Sequence, residues 1–320
     1  MPFSDILGQN SSIAVLRRSL VSGRIAHAYL FSGMEGCGKK KTALAFVEAV
    51  FCGKEEGCGT CSSCRKIAAQ QHPDLHLIEP DGQFIKIDQI RELQNVLAYR
   101  PYEAPKKACI INGAERLNPA AGNALLKTLE EPPGNALLIL ITSQNSMVLP
   151  TILSRCQSLE FNSIPQDIIE EYLIKDGFPH GPARIAATLA GGSLKRALEM
   201  GRDHDLTGRR DFLERVASLS LHDIASLFAA AEEFAREKDT VMDLLELLTS
   251  FLRDILHYIA SSGEAVHEDL LPLIRQEAAR LTLPRVIELI GHVADARQAL
   301  LRNVNARLTM EVLFMRLAER

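Results

Sequence analysis

Five short apolar runs punctuate the first half of the chain: Ala28-Tyr29-Leu30-Phe31, Leu75-His76-Leu77-Ile78, Ala108-Cys109-Ile110-Ile111, Leu137-Leu138-Ile139-Leu140-Ile141 and Leu159-Glu160-Phe161. Runs this short, alternating with helical patterns, predict parallel strands covered by helices on both faces. Helices are predicted at about 39–51, 88–99 and 119–130. The last has Asn118 as N-cap, Pro119 at its first position and Pro132-Pro133 as its stop. Ile85-Lys86-Ile87 reads as one further short strand, with Asp88 capping the helix that follows. After Phe161 the strand pattern ends. Val241, Leu244, Leu245, Leu248, Leu252, Ile255, Leu256 and Ile259 recur at steps of three and four, and Val286, Ile287, Ile290, Val293 and Leu300 do roughly the same. The expected organisation is an α/β domain with a doubly wound parallel sheet (1–163), a small helical domain (164–207) and an all-helical domain (208–320).

Composition narrows the classes. With 320 residues, 47% hydrophobic and 24% charged, the chain is neither collagen-like nor wholly disordered. A net charge of −4 supplies no global positive field, so any contact with nucleic acid must be local or borrowed from partners. No apolar run approaches the roughly 20 residues that span a bilayer, and Met1-Pro2-Phe3-Ser4-Asp5 lacks signal-peptide character. A cytoplasmic protein with reduced cysteines and no membrane partner is expected.

Gly33-Met34-Glu35-Gly36-Cys37-Gly38-Lys39-Lys40 follows a predicted strand and opens a predicted helix, the context of a phosphate-binding loop. Gly33, Gly36 and Gly38 would let the backbone curl around phosphates, and Lys39 would reach them. The eighth position breaks the pattern: Lys40 stands where a Ser or Thr hydroxyl should hold Mg²⁺. Thr42 is turned away by the helical twist. The strand that should end in an Asp-Glu pair ends in Asn112-Gly113, with neither a charged metal ligand nor a base. Mg²⁺ binding and hydrolysis are therefore not expected; the loop either retains nucleotide or is a turn that binds nothing.

Cys52, Cys58, Cys61 and Cys64 cluster within residues 52–64, among Gly53, Gly57 and Gly59. Four thiolates fit a closed, structural Zn²⁺ site, against reduced core cysteines or an iron–sulfur cluster. Cys37, Cys109 and Cys156 are isolated and read as packing residues. Arg155, between two predicted strands, is by itself either a surface charge or a functional cation.

Phe3-Ser4-Asp5-Ile6-Leu7-Gly8-Gln9, His27 to Gly33, the cysteine cluster, Asn123 to Pro133, Ser154-Arg155-Cys156 and Asn303 to Leu308 occur in this order in bacterial clamp-loader subunits. The chain resembles that AAA+ family over nearly its whole length. The resemblance implies a helical lid and an oligomerising collar after the AAA+ domain, and a five-subunit complex with gamma/tau and delta that loads the sliding clamp at primed DNA. It implies that Arg155 reaches in trans to a neighbouring gamma/tau ATP site as an arginine finger. Gamma/tau relatives keep an intact loop and an Asp-Glu pair; Lys40, Asn112 and Gly113 depart from both. The family's ATP-sensing Arg aligns with Lys195, one residue before Arg196, and Thr142 or Ser143 matches its polar sensor. Two alternatives follow from the motifs: an ATP-hydrolysing gamma/tau-like subunit, or a zinc-dependent nucleic-acid-binding module.

Overall fold

The computed structural model describes residues 2–202, 206–235, 238–261, 265–302 and 304–319. Asn303, at the head of the C-terminal motif, lies outside them. By packing, the chain divides into two compact units: residues 1–169 with 192–195, and residues 170–191 with 196–320.

In the first unit the strands are β1 (Ala28–Gly33), β2 (Leu75–Ile78), β3 (Lys107–Asn112), β4 (Ala136–Thr142) and β5 (Gln157–Phe161). They form one all-parallel sheet in the order β2-β3-β4-β1-β5. The helices are α1 (Asn10–Ser22), α2 (Lys39–Cys52), α3 (Ser62–Ala68), α4 (Ile87–Leu97), α5 (Pro119–Glu130) and α6 (Pro150–Leu153).

Successive strand residues face opposite sides, so each strand feeds two cores. Tyr29 and Phe31, Ala108 and Ile110, and Leu137, Ile139 and Ile141 pack with Leu16 of α1, Phe46 of α2 and Ile67 of α3. Ala28 and Leu30, Cys109 and Ile111, and Leu138 and Leu140 pack with Ile90 of α4, Leu125 of α5 and Ile152 of α6. This two-sided burial explains the uninterrupted apolar runs and gives the expected α/β doubly wound architecture.

Two local expectations are corrected. Ile85-Lys86-Ile87 is not a strand: Ile85 makes a single bridge to Leu117, and Ile87 already begins α4. Asp88 is therefore inside the first turn and not the cap; the Lys86 N–H is met by Gln89 Oε1 at 2.9 Å. Asn118 does cap α5, its Oδ1 accepting from Ala121 N at 2.7 Å.

Helix α7 (Gln166–Lys175) runs from the first unit into the second. The second unit continues with α8 (His180–Leu189), α9 (Leu194–Arg202), α10 (Leu206–Ser218), α11 (Ile224–Phe234), α12 (Lys238–Ile259), α13 (Leu271–Arg280), α14 (Leu283–Leu301) and α15 (Ala306–Ala318). Its core contains the predicted stripe of α12, including Val241, Leu245, Leu248, Leu252 and Ile255. On α14, Val286, Val293 and Leu300 are buried, but Ile287 is 55% exposed, because a step of one residue rotates a helical side chain by about 100°.

One polar pair sits inside this helical core. Asp254 accepts from Val266 N at 2.9 Å, from His267 N at 2.8 Å, and meets His267 Nδ1 at 2.9 Å. Burial raises the Asp254 carboxyl, but these contacts outweigh it and hold it below its ordinary value. The stabilisation is therefore complete above the usual Asp value of about 3.9 and is lost as pH falls through the lower folded value. Asp254→Asn turns an amide N–H toward donors, and a loss of about 1–3 kcal/mol is expected in urea unfolding at neutral pH.

Candidate functional site

Residues 33–39 close the gap between the C-terminal end of β1 and the start of α2. Gly33 has φ +147° and a Cβ there would lie 2.2 Å from Phe161 O, so no side chain fits against β5. Gly36 has φ +79°, and its Cβ would lie 2.0 Å from Ser193 Oγ. The segment 192–195 thus sits against the outside of the loop. Leu194 N donates to Gly36 O at 3.1 Å, and Lys195 Nζ pairs with Glu35 Oε1 at 2.8 Å. That hydrogen bond with Lys195 holds the Glu35 carboxyl below its usual range.

Lys39 is only 6% exposed. Its ammonium donates to Gly33 O at 2.6 Å and Met34 O at 2.5 Å, the loop's own carbonyls. Burial lowers its pKa from the usual lysine value. Lys39→Ala leaves two carbonyls without this donor, and should cost about 1–3 kcal/mol in chemical unfolding. Unchanged stability would show that these bonds carry no weight.

Around the metal position the residues hold one another. Lys40 Nζ lies 2.6 Å from Glu79 Oε1, the same oxygen that accepts from Asn112 Nδ2 at 3.4 Å. The hydrogen bond from Lys40 is the main reason the Glu79 carboxyl lies below its ordinary value. Thr42 is fully buried and its Oγ1 donates to Gly38 O at 2.9 Å, so its hydroxyl serves the helix backbone. Glu115 accepts from Ser143 Oγ at 2.7 Å, at the end of β4. Burial raises the Glu115 carboxyl, but donors at Ser143 and Thr142 bring it below normal. Lys40 and Glu79 thus form a partly exposed ion pair.

Of the two cations near the sensing position, Lys195 faces the loop. Arg196 instead pairs with Glu246 at 2.6 Å and with Asp243. Glu35, Glu79, Glu130 and Ser193 acquire their partners only in the fold, since an isolated carboxylate or hydroxyl carries no local sign of its partner.

Arg155 follows α6 and precedes β5, which is an edge strand. Its guanidinium pairs with Glu130 at the end of α5, at 2.6 Å, and donates to Thr151 O at 3.1 Å and Ser154 Oγ at 3.2 Å. The side chain remains 37% exposed. The strands are parallel, with Tyr29 opposite Gln157 and Gly33 opposite Phe161. Arg155 therefore lies at the end of the sheet opposite the phosphate loop, beyond the about 13 Å of strand that separates Gln157 from Phe161.

The four clustered cysteines come together where α2 ends and α3 begins. Their sulfur atoms all lie within 4.8 Å of one another. Cys58 and Cys64 are 3.8 Å apart, and Cys61 and Cys52 are 3.9 Å apart. Tetrahedral Zn–S bonds of about 2.3 Å place sulfurs about 3.8 Å apart. Backbone N–H groups point at sulfur: Cys61 N to Cys58 Sγ at 3.3 Å and Cys64 N to Cys61 Sγ at 3.5 Å. Hydrogen bonds from Thr60 Oγ1 and the N–H groups of Cys61 and Thr60 bring the Cys58 thiol down to about 5. Cys64 is pushed up, first by burial. The cluster could hold one metal ion. The isolated Cys37 and Cys109 are buried in the two cores of the sheet unit, and Cys156 is half-buried, as packing residues should be.

A five-stranded parallel sheet carrying a glycine-rich strand-to-helix loop, with a four-cysteine insertion after the loop helix, defines an AAA+-type module. Family models described as "DNA polymerase III, delta subunit" and "DNA polymerase III, delta subunit, C terminal" match residues 8–165 and 203–319. A delta-prime subunit of Bacillus subtilis is 34% identical over 95% of this chain and 94% of its own length. The chain belongs to the DNA polymerase III delta-prime family and is a delta-prime-like clamp-loader subunit. The tau subunit of Bacillus subtilis is 27% identical over 99% of this chain and 61% of its own. Among solved structures, a DNA polymerase III gamma subunit-related protein of Thermotoga maritima covers 97% of this chain and 99% of its own, at 19% identity and TM-score 0.49. Among the described residues, no helix is long and apolar enough to cross a membrane.

Proposed function

We propose that this chain is the non-hydrolysing member of a five-subunit clamp loader, assembled with gamma/tau and delta, and that Arg155 serves the ATP site of a gamma/tau neighbour. The observation that carries this reading is the separation of Arg155 from the chain's own phosphate loop: the two lie at opposite ends of β5. A half-exposed guanidinium on an edge of the domain suits a γ-phosphate held by another subunit, because its fork of donors stays charged at any relevant pH. Residues 164–207 act as the lid and residues 208–320 as the collar. Leu301, Val304, Leu308 and Val312 are 66, 46, 55 and 46% exposed, an apolar stretch near the C-terminus consistent with a collar contact.

The filled loop supports a loss of hydrolysis. Lys39 is spent on Gly33 and Met34, and Lys40 on Glu79. The four thiols fit zinc in a closed S₄ site, which would stabilise the α2–α3 corner and leave no position for substrate. Zinc supplies folding energy there and no catalytic step.

Reconstitution with gamma/tau and delta, followed by mass measurement and ATPase assay, tests the reading. One copy in a five-subunit complex is expected, and the chain alone should show no turnover that Lys39→Ala abolishes. Lys39-dependent turnover by the isolated chain would instead establish an ATP-hydrolysing subunit.

A further inference from the structure

In a chain of net charge −4, one surface segment interleaves aromatic and basic residues: Tyr99-Arg100-Pro101-Tyr102-Glu103-Ala104-Pro105-Lys106. It joins α4 to β3, at the end of the sheet opposite the phosphate loop. Tyr99 and Tyr102 are 73% and 83% exposed. Rings this exposed are normally free to turn with a mobile loop, but this loop is fastened. Asp74, fully buried just before β2, accepts from Tyr102 N at 2.7 Å through Oδ1, and from Glu103 N at 2.8 Å and Ala104 N at 2.9 Å through Oδ2. Three charge-assisted bonds to one buried carboxylate fix the backbone beneath Tyr102. Lys107 Nζ, donating to Val96 O at 2.6 Å, lies 5.9 Å from the centroid of the Tyr99 ring, at the outer range of a cation–π contact.

The electrostatics follow the same direction. Glu103, the acidic residue of the segment, is neutralised by Lys66 Nζ at 2.5 and 2.6 Å from its two oxygens. In the same segment Arg100 is exposed and Lys106 half-exposed. Exposed aromatic rings on a fastened loop, with cations close to them in the chain, match the chemistry of unpaired nucleic acid, whose bases stack on rings and whose phosphates meet Arg and Lys. Duplex does not fit: its base faces are already stacked on one another. We propose that Tyr99 and Tyr102 form a stacking platform for single-stranded nucleic acid, with Arg100 and Lys106 contacting its phosphates. This goes beyond the arginine-finger reading and does not depend on it.

The chain has five Tyr and no Trp, so tyrosine emission reports stacking directly. An oligothymidylate of about 12 nucleotides, titrated into the full chain and into the assembled complex, should quench that emission. Tyr99→Ala and Tyr102→Ala should each weaken binding about tenfold, whereas Tyr→Phe at both positions should retain it. Arg100→Ala should weaken binding and reduce the salt slope by about one. Both rings are solvent-exposed, so the thermal midpoint of each variant should match that of the parent. Failure of the oligonucleotide to bind either the chain or the complex would overturn the proposal, as would binding without quenching and with unchanged affinity in the double alanine variant. Weakened binding of the double variant to the acidic surface of a protein partner, with oligonucleotide affinity intact, would reassign the rings to protein docking.

Discussion

Arg155→Ala should slow ATP hydrolysis at the adjoining gamma/tau site by about 10³-fold while leaving the assembly intact. In the isolated chain Arg155 rests on Glu130, Thr151 and Ser154, all within its own surface. None of these contacts holds the sheet together, so removal of the guanidinium should not disturb folding. The measurement is cleanest in a complex whose gamma/tau subunits lack the arginine of their own Ser-Arg-Cys motif, so that the site facing Arg155 dominates turnover. Arg155→Lys should recover little, since a single ammonium does not reproduce the planar fork. Undiminished turnover at that site would remove the proposed role. Glu130→Gln provides a complementary measurement: it frees the guanidinium without deleting it, and turnover should be retained or raised.

Replacing Cys58 and Cys61 together by Ser should abolish metal binding and lower stability by several kcal/mol, a part of the about 10–16 kcal/mol that structural zinc supplies to zinc-finger peptides. Elemental analysis of the parent should find about one zinc per chain. The expected damage is local. Cys61 caps α3 through its sulfur, and Cys52 is the last residue of α2, so a metal held by the four thiols would tie the corner where these helices meet, and its loss would untie it. Differential scanning calorimetry with and without a chelator measures the effect. A metal-free chain of undiminished stability would refute the zinc assignment.

Much of this was legible in the sequence because the relevant signals are local. β1, β3 and β4 are buried on both faces, so their apolar runs are unbroken, and Asn118-Pro119 marks the start of α5 within two residues. The cysteines declare themselves by spacing. Lys40 and Asn112 stood out as the wrong chemistry for a working ATP site. What the sequence did not reveal is what these residues do instead, because their partners lie far along the chain. Glu79 is 39 residues from Lys40, and Lys195 is 160 residues from Glu35. Nothing in a lone carboxylate distinguishes a solvated charge from one half of such a pair. Ile85-Lys86-Ile87 misled for a related reason: alternation over three residues is too short to separate a strand from an extended lead into a helix, and only Ile85 finds a bridge.

The arrangement of Lys40, Glu79 and Asn112 also limits what one substitution toward a magnesium site could achieve. Lys40→Thr alone would leave the half-exposed Glu79 carboxylate to water, and Asn112→Asp alone would set a second negative charge beside it. Lys40 and Asn112 share one carboxylate oxygen, so a change at either is felt by the other through Glu79.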